Sequence, residues 1–192
     1  MECEIMLTGI GGQGIQLAAQ ILARAAVHEG LQVMYLGTYG GTMRGGQTDA
    51  TLVVADERIL APPLVSHVGS ALAMHHAFFA PIETKLRAGA VVLINESVFE
   101  GDIAGRDLCV LRVPATAMAA DLGHPLGACM VLIGAFAAAT ELVGIESLLG
   151  GMRESIPAYR RQNLDANEKA LREGYGQLEA GVASLRAAGG KA

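Results

Sequence analysis

The chain has 192 residues, 52% of them hydrophobic and 17% charged, a composition that excludes intrinsic disorder and a length that suits one α/β domain with its own core. Its net charge of −5 gives no basic footprint for nucleic acid. Cys3, Cys109 and Cys129 are widely separated and lack C-x-x-C spacing, which argues against a zinc site or an iron–sulfur cluster and favours a reducing compartment.

The first pattern in the chain is a glycine turn, Gly9-Ile10-Gly11-Gly12-Gln13-Gly14, between an apolar strand at 4–8 and a helical pattern at 13–28. Glycine permits tight bends and close approach of a ligand. The free N–H groups at the start of a helix bind anions, most often phosphate. The order strand, turn, helix therefore predicts a phosphate-binding turn, and the alternative is that these glycines only allow close helix–sheet packing.

The second predicted strand, at 32–36, ends in Gly37-Thr38-Tyr39 and not in a carboxylate. A dinucleotide-binding fold places an Asp or Glu there to hold the ribose hydroxyls. Glu29 precedes the strand and is expected at the opposite end of the sheet. The pattern keeps the nucleotide-type fold but argues against NAD.

A second glycine-rich segment occupies residues 37–48. Its glycine content predicts a loop and not a helix or strand. It follows the carboxyl end of a strand, where ligands bind in open α/β sheets, and Arg44 supplies a charged fork suited to phosphate or carboxylate. We expect a functional loop here, with a surface loop carrying one solvated arginine as the alternative.

The rest of the chain alternates between predicted strands and helices. Strands are expected at 49–55, 70–74, 90–94 and 109–113, and helices near 78–88, 125–143, 145–155 and 160–186. The continuous apolar run at 90–94 is typical of a parallel sheet covered on both faces. The pattern predicts one domain over residues 1–192, an α/β, Rossmann-like open, mostly parallel sheet with helices on both faces.

The most apolar run, Leu126 to Thr140, is shorter than the ~20 residues that a bilayer needs. The first residues also lack the basic region of a signal peptide. We expect a buried helix at this run, a cytoplasmic location and no membrane partner. The last predicted helix has an amphipathic stripe interrupted by glycines, so we expect it to dock on its own sheet or on a partner.

Motifs for catalysis by this chain alone are missing. There is no G-x-S-x-G nucleophile elbow, no P-loop lysine after the first turn and no motif for a tuned acid/base pair. His75-His76 is interpreted as a strand-end loop position and not a metal site, because neighbouring strand residues point to opposite faces. The sequence predicts a binding surface, with no catalytic residue and no metal ligand.

Two segments together resemble a known family: the first glycine turn with its helix, and Tyr39-Gly40-Gly41-Thr42-Met43-Arg44-Gly45-Gly46-Gln47-Thr48 with the strand after it. At this spacing they resemble the gamma subunit of the 2-oxoacid:acceptor oxidoreductases, which include the pyruvate, 2-oxoglutarate and branched-chain or aryl 2-oxoacid ferredoxin oxidoreductases. The tail, with Asn167-Glu168-Lys169-Ala170 and Gly174-Tyr175, is similar to the family's C-terminal helix. Gly127-Ala128-Cys129-Met130 departs from the family, in which an Asn is frequent at this point.

The resemblance implies a subunit of an enzyme that oxidatively decarboxylates a 2-oxoacid to an acyl-CoA. Thiamine diphosphate and iron–sulfur clusters are then held by the partners, namely alpha and beta thiamine-binding subunits and an iron–sulfur subunit, and ferredoxin or another acceptor takes the electrons. The gamma subunit is expected to support assembly and the coenzyme A side of the site. The expected cofactor-binding residues are Gly9, Gly11, Gly12, Gln13, Gly14, Thr38, Tyr39, Met43, Arg44, Gly45 and Gly46.

Three alternatives stay open at this point. The same loop can serve only to contact a neighbouring subunit. The chain can be a free-standing nucleotide-binding Rossmann-type enzyme, although no acidic residue follows the second strand. It can also be a purely structural interaction module in which packing explains every glycine.

Overall fold

The computed structural model describes residues 1–41, 45–60, 62–103, 107–178 and 182. Its strands are β1 (Glu2–Ile10), β2 (Gln32–Tyr39), β3 (Gln47–Ala55), β4 (Val68–Ala73), β5 (Leu86–Asn95) and β6 (Cys109–Val113). They form one sheet in the order β2-β3-β1-β4-β5-β6. Strands β1, β4, β5 and β6 run parallel, and β3 lies antiparallel between β1 and β2. The predicted Rossmann-like, mostly parallel sheet is confirmed, with one antiparallel strand inserted in it.

Strands β2 and β3 form a long hairpin, so the prediction of a loop over all of 37–48 is wrong at both ends. Residues 37–39 continue β2 and residues 47–48 begin β3. The strand pattern extends because neighbouring groups stabilise it: the side-chain amide of Gln16 lies over this part of the hairpin and donates to the Asp49 carbonyl at 2.6 Å. Local glycine content is a weak guide where such tertiary contacts hold the backbone.

The helices follow the predicted order with one large difference. They are α1 (Ile15–His28), α2 (Ala80–Glu83), α3 (Ala115–Asp121), α4 (Ala128–Thr140), α5 (Ile145–Ser155) and α6 (Leu164–Tyr175), with 3-10 helices at His76–Phe78, Pro125–Gly127 and Ala158–Asn163. The helix predicted at 78–88 is wrong in length, because β5 already begins at Leu86. Tertiary pairing recruits this segment into the sheet: Leu86 pairs with Val68, and Arg87 donates to a Glu4 carboxylate oxygen at 2.6 Å.

Both faces of the sheet are covered, but unequally. On one face, alternate strand residues such as Leu7 and Leu93 pack in a core with α1, α3, α4, α5 and α6. On the other face, residues such as Val92 and Ile94 pack against the short α2 and its neighbouring loops. The apolar run at 90–94 therefore points alternately into two cores, as its composition predicts.

Helix α4 is the central helix of the larger core, and every residue of Ala128–Thr140 is buried. This burial explains the most apolar run of the sequence. Within the described ranges, no helix combines the length and the hydropathy needed to span a bilayer.

Helix α6 lies on α4 at a very close crossing. A Cβ atom at Gly174 would collide with the Val131 carbonyl oxygen, and one at Gly134 would collide with the Leu171 carbonyl oxygen. Gly174, which weakens α6 as an isolated helix, thus allows it to dock on its own chain. The docked helix ends at Tyr175, and most of the remaining predicted helix lies outside the described residues.

Candidate functional site

A cavity of about 950 Å³ opens at the carboxyl end of β1. The first glycine turn and the start of α1 form one wall, and the tip of the β2–β3 hairpin forms the second. The third wall comes from far along the chain, from Leu126 and from the 3-10 helix Ala158–Asn163. The two glycine segments of the sequence therefore meet at one cavity.

The first glycine turn is held by backbone conformation and by one side chain. Gly12 and Gly14 have φ values of 106° and 85°, a region that side chains disfavour. The Gln13 N–H donates to the Ile10 carbonyl at 3.0 Å, and the Ile10 N–H donates to Gln13 Oε1 at 2.7 Å. Gln13 thus braces the turn from within.

The N-terminus of α1 is open toward the cavity. Its N-cap is Gly14, which provides no capping side chain, and its first turn contains no acidic residue. The first amide to bond back into the helix is that of Ala18, which donates to the Gly14 carbonyl at 2.9 Å. The amides of residues 15–17 precede it and have no acceptor within the helix, so they are available to an anion. They also lie at the positive end of the helix dipole, which favours negative charge.

The hairpin tip is bonded to the turn. The Gly11 N–H donates to the Gly46 carbonyl at 2.8 Å, and the Gly40 N–H donates to the Gln47 carbonyl at 2.7 Å. A Cβ atom at Gly40 would lie only 3.1 Å from that same Gln47 oxygen, so the strands approach closely here. The Gly11–Gly46 bond joins two walls of the cavity, and the Gly40–Gln47 bond closes the tip of the hairpin.

Most of the expected cofactor-binding residues lie on the cavity wall, namely Gly11, Gly12, Gly14, Tyr39, Gly45 and Gly46. Gly9, Gln13 and Thr38 do not line it. A Cβ atom at Gly9 would meet Gln13 Oε1 at 2.6 Å, so Gly9 is a packing position in β1. Thr38 pairs with Asp49 within the hairpin. Met43 and Arg44 lie outside the described residues.

Sequence analysis missed several residues of the cavity wall: Gln16 on the first wall, Gln47 on the second, and Leu126, Tyr159, Arg160, Gln162 and Asn163 on the third. Arg160 is the notable one, because its guanidinium lies 5.5 Å from the Tyr159 ring centre and faces a cavity without a described acidic residue on its wall. A basic and aromatic run, Tyr159-Arg160-Arg161, was the available signal. This run lies far from the glycine motifs in the sequence, so sequence analysis did not assign it to the same site.

The start of α4 lies beside the start of α1. A Cβ atom at Gly14 would lie 3.7 Å from Cys129 Cβ, so the first turns of the two helices are neighbours. Helix α4 also begins without a side-chain cap, at Gly127. Cys129 is buried, and burial raises the pKa of its thiol to about 12. Cys129, which lies in the segment 127–130, is thus a neutral packing group beside the site.

The described residues do not form a metal-binding site. In the part of the chain that the structure describes, no three His, Cys, Asp or Glu side chains are grouped to hold a metal ion. The Ala77 N–H donates to His75 Nδ1 at 3.1 Å, so His75 caps the 3-10 helix that follows β4. Desolvation lowers the pKa of His75, which favours its neutral form.

Comparison with known proteins identifies the family. Residues 4–177 match the family model of pyruvate ferredoxin/flavodoxin oxidoreductase. The chain is 32% identical over 160 residues to the 2-oxoglutarate synthase subunit KorC of Methanothermobacter thermautotrophicus, which covers 80% of this chain and 85% of that protein.

Two solved structures share the fold. The gamma subunit of a keto/oxoacid ferredoxin oxidoreductase from Geobacter sulfurreducens superposes with a TM-score of 0.79 at 24% identity, over 92% of this chain and 96% of that one. The 2-oxoglutarate:ferredoxin oxidoreductase from Magnetococcus marinus, solved with 2-oxoglutarate, coenzyme A and succinyl-CoA bound, gives a TM-score of 0.81 at 18% identity, over 91% of this chain and 30% of that one. The chain therefore belongs to the pyruvate ferredoxin/flavodoxin oxidoreductase family, and the resemblance to its gamma subunits that the two glycine motifs indicate is confirmed.

Proposed function

We propose that this chain, a gamma-type subunit of a 2-oxoacid oxidoreductase, forms the coenzyme A side of the active site and helps to assemble the complex around it. The complex oxidatively decarboxylates a 2-oxoacid, transfers the acyl group to coenzyme A and passes the electrons to ferredoxin or another acceptor. Thiamine diphosphate and iron–sulfur clusters supply that chemistry from the alpha, beta and iron–sulfur subunits. The chain acts as one domain that binds and orients coenzyme A and shields the active site. It has no catalytic residue of its own.

The observation that carries the proposal is the uncapped N-terminus of α1, which faces a cavity with no described acidic residue on its wall. Phosphate groups bind at such helix ends, because free N–H groups and the helix dipole both favour negative charge. Arg160 adds a permanent positive charge on the facing wall. A volume of about 950 Å³ lies within the range of ligand sites for molecules of cofactor size.

The rim of the cavity suits the remaining part of coenzyme A. Tyr39 is 71% exposed, so its ring is open to a stacking partner, whereas the exposed Tyr159 ring has the Arg160 guanidinium 5.5 Å from its centre. An adenine ring stacks on such aromatic side chains, at about 1–3 kcal/mol per base. The coenzyme A and succinyl-CoA bound in the Magnetococcus marinus enzyme, which shares the fold, also support this assignment.

The cysteines support a division of labour between subunits. Burial raises the pKa of the Cys3 and Cys129 thiols to about 12, so both stay protonated at neutral pH and are poor cluster ligands. Cys3, Cys109 and Cys129 are all free thiols, which suits a reducing compartment and a cytoplasmic complex. The partner subunits then hold the thiamine diphosphate and the clusters.

The direct test compares Arg160→Ala with Arg161→Ala in the assembled complex. Arg161 is an equally exposed neighbour that does not line the cavity. We expect Arg160→Ala to raise the KM for coenzyme A about tenfold, the loss of one charge-assisted contact, while kcat and the KM for the 2-oxoacid stay within twofold. Arg161→Ala should leave all three unchanged, and an unchanged KM for coenzyme A in Arg160→Ala would contradict the assignment.

Arg44 separates a ligand contact from an assembly contact. If Arg44 binds a phosphate, Arg44→Ala weakens the coenzyme A dependence and leaves the complex intact. If it binds a neighbouring subunit, the complex is lost. Affinity purification from native cells gives the broader test: recovery with a thiamine diphosphate subunit and an iron–sulfur protein supports the proposal, whereas a stable homo-oligomer that binds a nucleotide restores the free-standing enzyme.

A further inference from the structure

Gln16 lies in the first turn of α1, on the wall of the cavity. Its side-chain Nε2 donates to the Asp49 carbonyl at 2.6 Å and to the Thr38 carbonyl at 3.4 Å. Thr38 and Asp49 lie opposite each other in the β2–β3 hairpin, so one amide group bonds to both strands. The next pair toward the tip is Tyr39 and Thr48, and both residues line the cavity. Gln16 therefore ties the start of α1 to the part of the hairpin that carries Tyr39.

The orientation of the Gln16 amide is determined by its neighbours. A carbonyl oxygen only accepts hydrogen bonds, so the amide nitrogen must face Thr38 and Asp49. The amide oxygen, Oε1, accepts from the Tyr35 hydroxyl. Burial raises the pKa of Tyr35, so this hydroxyl keeps the proton that it donates. Turning the amide over would break all three hydrogen bonds, and the Tyr35 hydroxyl thus holds Gln16 in the orientation that reaches the hairpin.

Gly37 provides the space for this arrangement. A Cβ atom at Gly37 would collide with Gln16 Oε1 and with the Tyr35 hydroxyl oxygen. Its φ is not positive, so the glycine is needed for space and not for backbone conformation. A glycine inside a strand often marks such a close approach. The β2 strand therefore leaves room, at one position, for a side chain that comes from α1.

The two parts of the site that Gln16 joins carry different ligand contacts in the proposed function. The amides of residues 15–17 bind phosphate, and the exposed Tyr39 ring stacks on adenine. A ligand that spans both contacts gains from them together only when their separation matches its own length. A single phosphate ion needs the helix end alone. The bonds of Gln16 to the hairpin therefore matter for the spanning ligand and not for the single ion.

We propose that Gln16 is a positioning residue, which holds Tyr39 at a set distance from the phosphate-binding end of α1 and so favours a ligand that spans both contacts. Tyr35 acts through Gln16, because its hydroxyl orients the amide and it does not itself line the cavity. The inference rests on the proposed binding of coenzyme A. It goes further in naming the residue that couples the two contacts and the class of ligand that this coupling selects, a phosphorylated adenine nucleotide over free phosphate.

The test measures the KM for coenzyme A, kcat and the competitive inhibition by inorganic phosphate in the assembled complex. Gln16→Met keeps the length of the side chain and the backbone amides, and it removes the bonds to the hairpin. We expect the KM for coenzyme A to rise about tenfold, while kcat and the inhibition constant of phosphate stay within about twofold. Gln20→Met is the matched control, one helical turn further along α1 at an exposed residue that does not line the cavity, and it should leave all three constants at their wild-type values.

Tyr35→Phe tests the role of the hydroxyl without changing the cavity wall. It removes one hydrogen bond and should raise the KM for coenzyme A about threefold. In the Gln16→Met background the same change should have no further effect, because the amide that the hydroxyl orients is gone. Gln20 also lies within reach of the Tyr35 hydroxyl, so the Gln20→Met control shows which glutamine transmits the effect. Fully additive effects of Tyr35→Phe and Gln16→Met overturn the proposal.

The remaining outcomes separate this proposal from the function proposed above. An unchanged KM for coenzyme A in Gln16→Met, even with a lowered unfolding midpoint, leaves Gln16 with a structural role only and overturns the positioning role. An equal rise in the KM and in the inhibition constant of phosphate shows that Gln16 binds the anion itself, and overturns it as well. A wild-type complex that phosphate does not inhibit, and whose KM for coenzyme A does not respond to Arg160→Ala, contradicts the proposed function and this inference with it.

Discussion

Helices α1 and α5 pack against each other, yet their N-termini meet different surroundings. At the start of α5, the Gly144 N–H donates to Glu29 Oε1 at 3.0 Å, and Ser147 Oγ donates to the same oxygen at 2.7 Å. At the start of α1, Gly14 offers no side chain and the amides face a cavity. The protein supplies its own carboxylate to one helix end and leaves the other end available to an external anion.

The carboxylate that bonds to the start of α5 comes from the end of α1. Glu29 is the C-cap residue of α1, so the helix provides the cap of α5 at one end and the open site at the other. Its hydrogen bonds from Ser147 and from the Gly144 N–H lower the pKa of Glu29. Glu29 therefore has a structural task far from the cavity, consistent with its predicted position away from any ribose. The uncapped N-terminus of α1 is a local arrangement that the neighbouring residues create.

The largest expected effect comes from changing the backbone of the glycine turn that precedes α1. Gly12→Ala places a side chain on a residue with φ of 106°, where no atom lies within 4 Å of the new Cβ, so the cost is conformational and not steric. We expect a loss of about 2 kcal/mol in the free energy of unfolding, measured by denaturant titration. Gly41→Ala is the control, because its Cβ also meets open space and its φ is not positive. Equal effects of the two variants would contradict this account of the turn.

The next prediction concerns a substitution that gives the N-terminus of α1 a carboxylate, as the N-terminus of α5 already has. Leu17→Glu puts a carboxylate in the first turn of α1 and on the cavity wall. We expect the KM of the assembled complex for coenzyme A to rise about tenfold, or about 1.4 kcal/mol, because the new charge competes for the amides and repels phosphate. Leu17→Gln has the same shape without the charge and should change the KM less than threefold. A KM that rises equally in both variants would point to lost packing and not to charge.

A smaller effect removes the cap of α5. Glu29→Ala should lower the free energy of unfolding by about 1 kcal/mol at pH 7, the usual cost of a lost cap. Because folding lowers the pKa of Glu29 below its ordinary 4.5, its contribution is present above that pH and is lost as the pH falls through the folded-state pKa. The difference between variant and wild type should therefore shrink in acid. Glu173→Ala, at an exposed residue of α6, is the matched control and should lower the free energy of unfolding at pH 7 by less than about 0.5 kcal/mol.

The smallest effect is a local one. Titration with inorganic phosphate should shift the NMR signals of the amides at 15–17, which face the cavity, and leave those at 145–147 in place. The first set lacks an acceptor within its helix, whereas the start of α5 already has Glu29. Shifts of equal size at both helix ends would show non-specific binding and remove the contrast between them.

The crossing of α4 and α6 could not be predicted from the sequence, because it depends on glycines that pack closely against a distant helix. The glycines of the first turn are recognisable because they stand between a strand and a helix. Gly134 and Gly174 are equally necessary, since a Cβ at either would collide with the backbone of the other helix, but their sequence neighbours do not show it. Sequence analysis recorded the glycines of the last helix only as a weakness. Their role depends on a crossing between segments far apart in the chain.

The strand ends show the same limit. The sequence indicates strands at 32–36 and 90–94, but pairing extends them to Tyr39 and back to Leu86. In both places a distant side chain stabilises the extension, Gln16 over the hairpin and Glu4 opposite Arg87. Hydrogen bonds across the sheet outweigh local propensity, so strand ends are the part of the pattern that local residues specify least.

By itself the sequence determined the order of the elements, the buried apolar helix predicted near 125–143 and the glycine turn between β1 and α1, because backbone conformation and apolar periodicity are encoded by neighbouring residues. The pairing of the two glycine motifs indicated the family. Only the tertiary structure decided that the second glycine segment is a hairpin bonded to the first turn through Gly11 and Gly46, and that Arg160 faces both. These arrangements depend on the docking of α6 on α4 and on strand pairing, and such contacts join residues that are distant in the chain.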